Sequence, residues 1–276
     1  MGLNEPAARV IVAGSGGRMG QTLLEAVLGS LDLTLAGALE IPSSPLVGRD
    51  AGERFGRASG VIISADVPSV LAAADVLIDF TRPVGALTHV AACAKAGVSA
   101  VVGTTGLSEA DRRALSEAAR SIPSVFAPNM SVGFTVLTKL VEIAAQRLGD
   151  GYDVEILVMH HRHKIDAPSG TALALGEAAA AALHRNLESD AIYARHGVTG
   201  ERKSKTIGFA TLRGGDVVGD HTVVFAGVGE RVELTHRASS RMTFAQGALR
   251  AARFVAAKRA NRAVGLFDMQ DVLGLR

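Results

Sequence analysis

The chain has 276 residues and is almost charge-balanced, with 29 Lys+Arg against 27 Asp+Glu and 48% hydrophobic residues. That balance excludes disorder as the dominant state and argues against a polycationic nucleic-acid binder, so no nucleic-acid partner is expected. A lone cysteine, Cys93, excludes an intramolecular disulfide and any cysteine-based zinc site.

At the N-terminus no basic region precedes an apolar stretch of signal-peptide length, and Gly2 is followed by Pro6 where a myristoylation signal needs Ser or Thr. With no apolar run of about 18 residues, a spanning helix is not expected either. The expectation is a soluble, cytoplasmic protein without a membrane partner.

In chain order, residues 9–13 predict a short strand, 14–20 a glycine-rich turn, and 19–28 a helix with apolar residues at helical spacing. Strands follow at 33–39, 76–80, 98–102 and 124–127, separated by helical patterns at 84–96 and 108–120. The second of these opens on Ser108 with Asp111 three residues on, a capping-box spacing. Nearly all-apolar strands alternating with helices predict a parallel sheet covered on both faces. After Asn129 the pattern changes. A long helix is expected at 132–148, an alternating strand at 153–159 and an Ala-rich helix at 169–187. Residues 206–213, 216–226 and 231–236 read as three consecutive strands in an antiparallel meander. A last helix covers 243–258. The fold class is α/β: a Rossmann-type dinucleotide-binding domain, then an α+β domain with a mainly antiparallel sheet.

Gly14, Ser15, Gly16, Gly17, Arg18, Met19 and Gly20 lie between the first strand and first helix. The spacing is G-x-x-G-x-x-G, and its physical use is a tight turn whose backbone N–H groups and helix N-terminus face a pyrophosphate. Glu40 ends the second strand about twenty residues on, where a carboxylate accepts ribose hydroxyls. The bland alternative is a turn that serves packing alone. Two further loops, Gly103, Thr104, Thr105 and Ala127, Pro128, Asn129, Met130, sit at the same C-terminal strand edge, where ligands of open parallel sheets bind.

The segment His160, His161, Arg162, His163, Lys164 holds three of the eight histidines directly after a strand, and leads through Asp166 and Ser169 to Gly170 and Thr171. Clustered cations make one another harder to protonate, so a His or Lys here is expected to titrate near neutral pH and to transfer protons. The same cluster, with helix-opening N–H groups at Gly170 and Thr171, suits a carboxylate-bearing substrate. A merely solvated basic loop explains the residues equally simply. Zinc ligation by His160 and His163 lacks a cysteine and a third ligand, and no metal is expected.

These motifs, together with Asp79-Phe80-Thr81-Arg82-Pro83, Gly200-Glu201-Arg202, Ile207-Gly208-Phe209-Ala210 and Ser239-Ser240-Arg241-Met242-Thr243-Phe244, run in an order that resembles the 4-hydroxy-tetrahydrodipicolinate reductase (dihydrodipicolinate reductase) family. The resemblance extends from Val10 to Met269, and the H-H-R-H-K-x-D-A-P-S-G-T-A run is its most specific part. It implies reduction of 4-hydroxy-tetrahydrodipicolinate, a dicarboxylate, to tetrahydrodipicolinate with loss of water, by NADH or NADPH, in diaminopimelate and lysine biosynthesis. By the match His160 is the acid/base residue, Lys164 the proton donor, and His161, Gly170 and Thr171 bind substrate. Gly14 to Met19, Glu40, Gly103 to Thr105 and Ala127 to Met130 line the dinucleotide. The resemblance also implies a homotetramer, and domains of residues 1–130 with 241–276 and of 131–240. One departure concerns the cofactor: members that use NADPH well often carry Arg after the ribose-binding Glu, where this chain has Ile41. Arg18 partly substitutes, so dual specificity with a lean toward NADH is expected. The competing expectations are another two-domain dehydrogenase with a different substrate, and a catalytically silent NAD(P)-binding sensor, for which Lys164 has no use.

Overall fold

The computed structural model describes residues 8–276; the N-terminal residues on which the absence of a targeting signal was read lie outside them. In chain order the elements are β1 (Ala8–Ala13), α1 (Arg18–Leu28), β2 (Leu33–Leu39), β3 (Ile63–Ser64), α2 (Val67–Leu71), β4 (Val76–Asp79), α3 (Pro83–Ala96), β5 (Ser99–Val102), α4 (Glu109–Ala118) and β6 (Pro123–Phe126). Then follow α5 (Val132–Leu148), β7 (Asp153–His160), α6 (Gly170–Ala182), α7 (Leu187–Asp190), β8 (Ala191–Ile192), β9 (Ile207–Arg213), β10 (Gly219–Ala226), β11 (Arg231–Ala238), α8 (Met242–Ala260), β12 (Gly265–Phe267) and α9 (Met269–Leu273). The chain divides into two compact units, one running to Val132 and resumed over Met242–Arg276, the other Gly133–Arg241.

The first unit holds a parallel sheet in the order β12-β6-β5-β4-β1-β2-β3. Its strands are mostly apolar because both faces are covered. Val10, Val12, Ile78 and Val101 pack with Leu23, Leu24, Ala252 and Val255 of α1 and α8, while Ile11, Leu77, Ala100 and Val102 pack with Leu71, Val90, Cys93 and Leu115. The chain runs outward from β1 to β3, then returns to β4 on the other side of β1. That reversal opens a crevice at the C-terminal strand ends. The capping box expected at Ser108 is formed with Asp111, which places α4 correctly.

In the second unit the order is β11-β10-β7-β9-β8. Val154, Ile156, Val158, Phe209, Val223 and Phe225 face α5 and α6 and pack with Phe134, Leu137, Val141, Ala172, Leu175 and Ala179. Antiparallel ladders join β10 to β11 and to β7, whereas β9 runs parallel to β7. The expected three-strand meander therefore holds only for β10 and β11. β7 instead inserts between β9 and β10, where its backbone groups are paired on both edges, while its alternation of buried and less buried residues reports one covered face. The Ala-rich helix expected at 169–187 ends early, at Ala182, where His184 takes a left-handed φ of 55°, and a separate short α7 starts at Leu187. Among the described residues no helix is long and apolar enough to cross a membrane.

Candidate active site

In the first unit the glycine turn leaves β1 with Gly14 at φ +64°, a conformation that disfavours any side chain. Gly20 is required by close approach: a Cβ there would lie 2.0 Å from the Gly14 carbonyl oxygen. α1 begins after Gly17 with no side-chain cap, so its positive end is left open toward an anion. Both oxygens of Glu40 are held by backbone, Oε1 accepting the Gly16 N–H at 2.6 Å and Oε2 the Ile41 N–H at 3.1 Å. The Ile41 side chain is 64% exposed and the Arg18 side chain is exposed as well.

Gly103, Thr104 and Thr105 follow β5, and Ala127, Pro128, Asn129 and Met130 follow β6, so the predicted cofactor residues all lie at the C-terminal ends of β1, β2, β5 and β6. The buried hydroxyls of Ser15 and Thr104 have no hydrogen-bond partner among the described residues. A phosphate or ribose suits such orphaned groups, and with the bare glycine turn and uncapped α1 they fit a dinucleotide. Met130 is fully buried in the core and Met19 packs against it, so their side chains serve packing and only their backbone is left for a ligand.

The second unit carries the basic segment at the end of β7. His160 is 6% exposed. Burial first, then the charges of Lys164 and Arg213, push its pKa down to about 4. It is thus a neutral imidazole, and the near-neutral titration expected from clustered cations fails for it because desolvation adds to the repulsion. Lys164 forms an ion pair with Asp166, Nζ to Oδ1 2.7 Å, with a quarter or less of its side chain exposed. The loop that carries it is pinned by the turn before β10: His161 N–H donates to Val217 O at 2.7 Å and Arg162 N–H to Gly215 O at 3.2 Å. Arg213, the register partner of His160 on β9, donates Nε to the Lys164 carbonyl at 3.1 Å and Nη2 to the Asp166 carbonyl. Gly170 and Thr171 form the opening turn of α6, capped by Ser169, whose Oγ accepts the Ala172 N–H at 3.1 Å. His160, His161, Lys164, Gly170 and Thr171 are therefore gathered by one strand end and one helix start. Among the described residues no cluster of His, Cys, Asp or Glu is fit to hold a metal.

Several residues in these arrangements escaped sequence reasoning as site residues. Asp79, fully buried, accepts the Thr81 N–H at 2.7 Å and meets His89 Nδ1 at 2.6 Å, while the Thr81 methyl packs over Gly14. Arg213, Asp166 and Ser169 brace the basic loop. His221 packs beside His160. Its signal was present: in 216–226 it shares strand parity with Val223 and Phe225, the buried face.

Family models for dihydrodipicolinate reductase match this chain over residues 8–130 for the N-terminal part and 133–273 for the C-terminal part. A 4-hydroxy-tetrahydrodipicolinate reductase of Cupriavidus necator is 59% identical over 267 residues, spanning 97% of this chain and 99% of its own. That of Aromatoleum aromaticum is 58% identical over 268 residues, spanning 97% and 96%. Among solved structures, a dipicolinate-bound dihydrodipicolinate reductase from Paenisporosarcina sp. TG-14 superposes with a TM-score of 0.74 at 24% identity, covering 96% of this chain and 98% of that one. An amine dehydrogenase from Mycobacterium smegmatis shares the fold more distantly, with a TM-score of 0.58 at 16% identity and 94% of each chain covered.

Proposed function

The chain belongs to the dihydrodipicolinate reductase family, and from that premise we propose which of its residues carry the reaction and how. The enzyme reduces 4-hydroxy-tetrahydrodipicolinate to tetrahydrodipicolinate with loss of water, using NAD(P)H, in lysine biosynthesis through diaminopimelate. Residues 1–130 with 241–276 bind the dinucleotide, and 131–240 bind substrate and pair subunits.

Gly14, Ser15, Gly16, Gly17, Arg18, Met19, Glu40, Gly103, Thr104, Thr105, Ala127, Pro128, Asn129 and Met130 hold the cofactor. When bound, its nicotinamide supplies the hydride. Glu40 takes the adenosine ribose hydroxyls on its remaining lone pairs. Because two backbone N–H groups tether that carboxylate, it cannot swing away from a 2′-phosphate, and Ile41 supplies no compensating cation. The preference is dual with a lean toward NADH.

The substrate carboxylates lie against His161 and the opening turn of α6 at Gly170 and Thr171, where the helix dipole is positive. Loss of the ring hydroxyl as water requires a proton on the leaving oxygen and removal of one from the neighbouring carbon. Arrival of hydride then requires one further proton on the ring. The neutral imidazole of His160 is matched to accept and return a proton, and the Lys164 ammonium to supply the one that accompanies hydride. The single observation that carries this division is the placing of a buried, uncharged His160 beside the Lys164–Asp166 ion pair. The uncovered outer face of the second sheet, with Leu157 and Leu212 exposed, supports a homotetramer formed there, and a cytoplasmic enzyme is the expected setting.

The test is Lys164→Ala. NADH affinity, read by fluorescence titration, should be kept while kcat falls at least about a hundredfold, the scale of a lost general acid. Near-normal turnover would take Lys164 out of the mechanism.

A further inference from the structure

The roles proposed for His160 and the α6 opening leave one imidazole beside them unused. His221 is 4% exposed on β10, opposite Val158 of β7 and on the same face of the sheet as His160. The two rings meet edge-on, with centroids 5.0 Å apart and planes at 76°. On its other side His221 Nε2 lies 3.3 Å from Ser169 Oγ, the hydroxyl that caps α6. Either tautomer satisfies that pair, since a serine hydroxyl donates or accepts.

Packing alone does not explain this side chain. Phe134 forms an aromatic wall against His221, with ring centroids 6.4 Å apart, so a phenyl ring in place of the imidazole would suit the surroundings. The imidazole instead leaves Nδ1 buried with no hydrogen-bond partner among the described residues, which is a destabilising choice. The backbone also makes room for both rings: a Cβ on Gly219 would sit 3.2 Å from His160 Nε2 and 3.2 Å from His221 Cε1.

We propose that His221 is a positioning residue that ties the proton-handling His160 to the N-cap of the carboxylate-binding helix α6. Its ring edge fixes the plane of the His160 imidazole, and its bond to Ser169 fixes the hydroxyl that sets the first turn at Gly170 and Thr171. Burial, then the neighbouring His160, His236 and Lys164, hold its pKa down to about 3, so at neutral pH it brings no charge into the site. The inference rests on the reading of His160 and α6 given above.

His221→Phe and His221→Gln separate the two contacts, because phenylalanine keeps a ring against His160 and glutamine keeps an amide within reach of Ser169. In His221→Phe the affinity for pyridine-2,6-dicarboxylate, a non-reactive probe, and the substrate KM should each worsen about tenfold, a loss of about 1.4 kcal/mol. NADH affinity should not change. In His221→Gln the probe affinity and KM should return toward those of the unaltered enzyme while kcat falls, a split that mere loss of stability does not produce. Unaltered KM and probe affinity in His221→Phe would overturn the proposal, and so would equal losses in both variants that track a fall in Tm. If His221→Phe does not fold, the kcat-against-KM split in His221→Gln decides alone. His160→Gln, run alongside, separates the two readings: normal turnover there defeats the role of His160, whereas an inactive His160→Gln beside an unaffected His221→Phe defeats only His221.

Discussion

At the scale of single residues, environment has turned one basic segment into two different chemical groups. His160 and Lys164 are four positions apart, yet burial strips His160 of its proton while Lys164 sits in an ion pair with Asp166. The proposed roles of His160 and Lys164 use that asymmetry, a proton acceptor and a proton donor held on one segment. In the other unit a single side chain is expected to set cofactor choice. Replacing Ile41 by Arg should place a guanidinium beside the Glu40 carboxylate and raise kcat/KM for NADPH relative to NADH about tenfold, the worth of one charge-assisted contact. Steady-state kinetics with both cofactors check it, and an unmoved ratio would mean that Arg18 or the glycine turn governs selectivity.

At the scale of elements, the site depends on what the strands bring beside them. Parallel pairing of β9 with β7 sets Arg213 in register with His160, and its guanidinium reaches the carbonyls of Lys164 and Asp166 as well as that of Leu212. A lysine cannot span three carbonyls with one ammonium. Arg213→Lys should therefore loosen the loop and lower kcat about tenfold or more while NADH affinity holds; full activity would show that the turn before β10 suffices to pin it. Nine of the twelve strands among the described residues and most bounds of the longer helices were legible from periodicity, and so was the Ser108 cap, whereas β3, β8 and β12, of two or three residues each, are too short to show a period. The pairing of β9 was not, because a strand's own residues report burial and alternation but not which neighbour it meets.

At the scale of the whole molecule, the buried imidazoles couple stability to acid. Below the ordinary histidine value of 6.5 an unfolded chain protonates at these positions, whereas folded His160 stays neutral to about 4 and His221 to about 3. The unfolded state binds more protons across that window, so stability should fall as pH drops from about 6.5 toward about 4. Urea midpoints measured across the window check this, and His221→Phe should flatten part of the slope; equal midpoints would mean that other groups compensate. The outer sheet face makes a separate prediction. Leu157→Asp, placing a charge on the proposed subunit contact, should shift sedimentation toward smaller species, and an unchanged profile would remove that face from the interface.

By itself the sequence determined the two-part plan, the glycine turn with its distal Glu40, and the run from His160 to Thr171, because each depends on residue types at short spacing. Only the tertiary structure decided that Glu40 is tethered by the turn it serves, that His160 is uncharged, and that Arg213 and His221 stand beside it. Those facts arise from residues between 24 and 61 positions apart being brought into contact. Desolvation and hydrogen-bond partnership belong to neighbours in space, and a spacing pattern does not contain them.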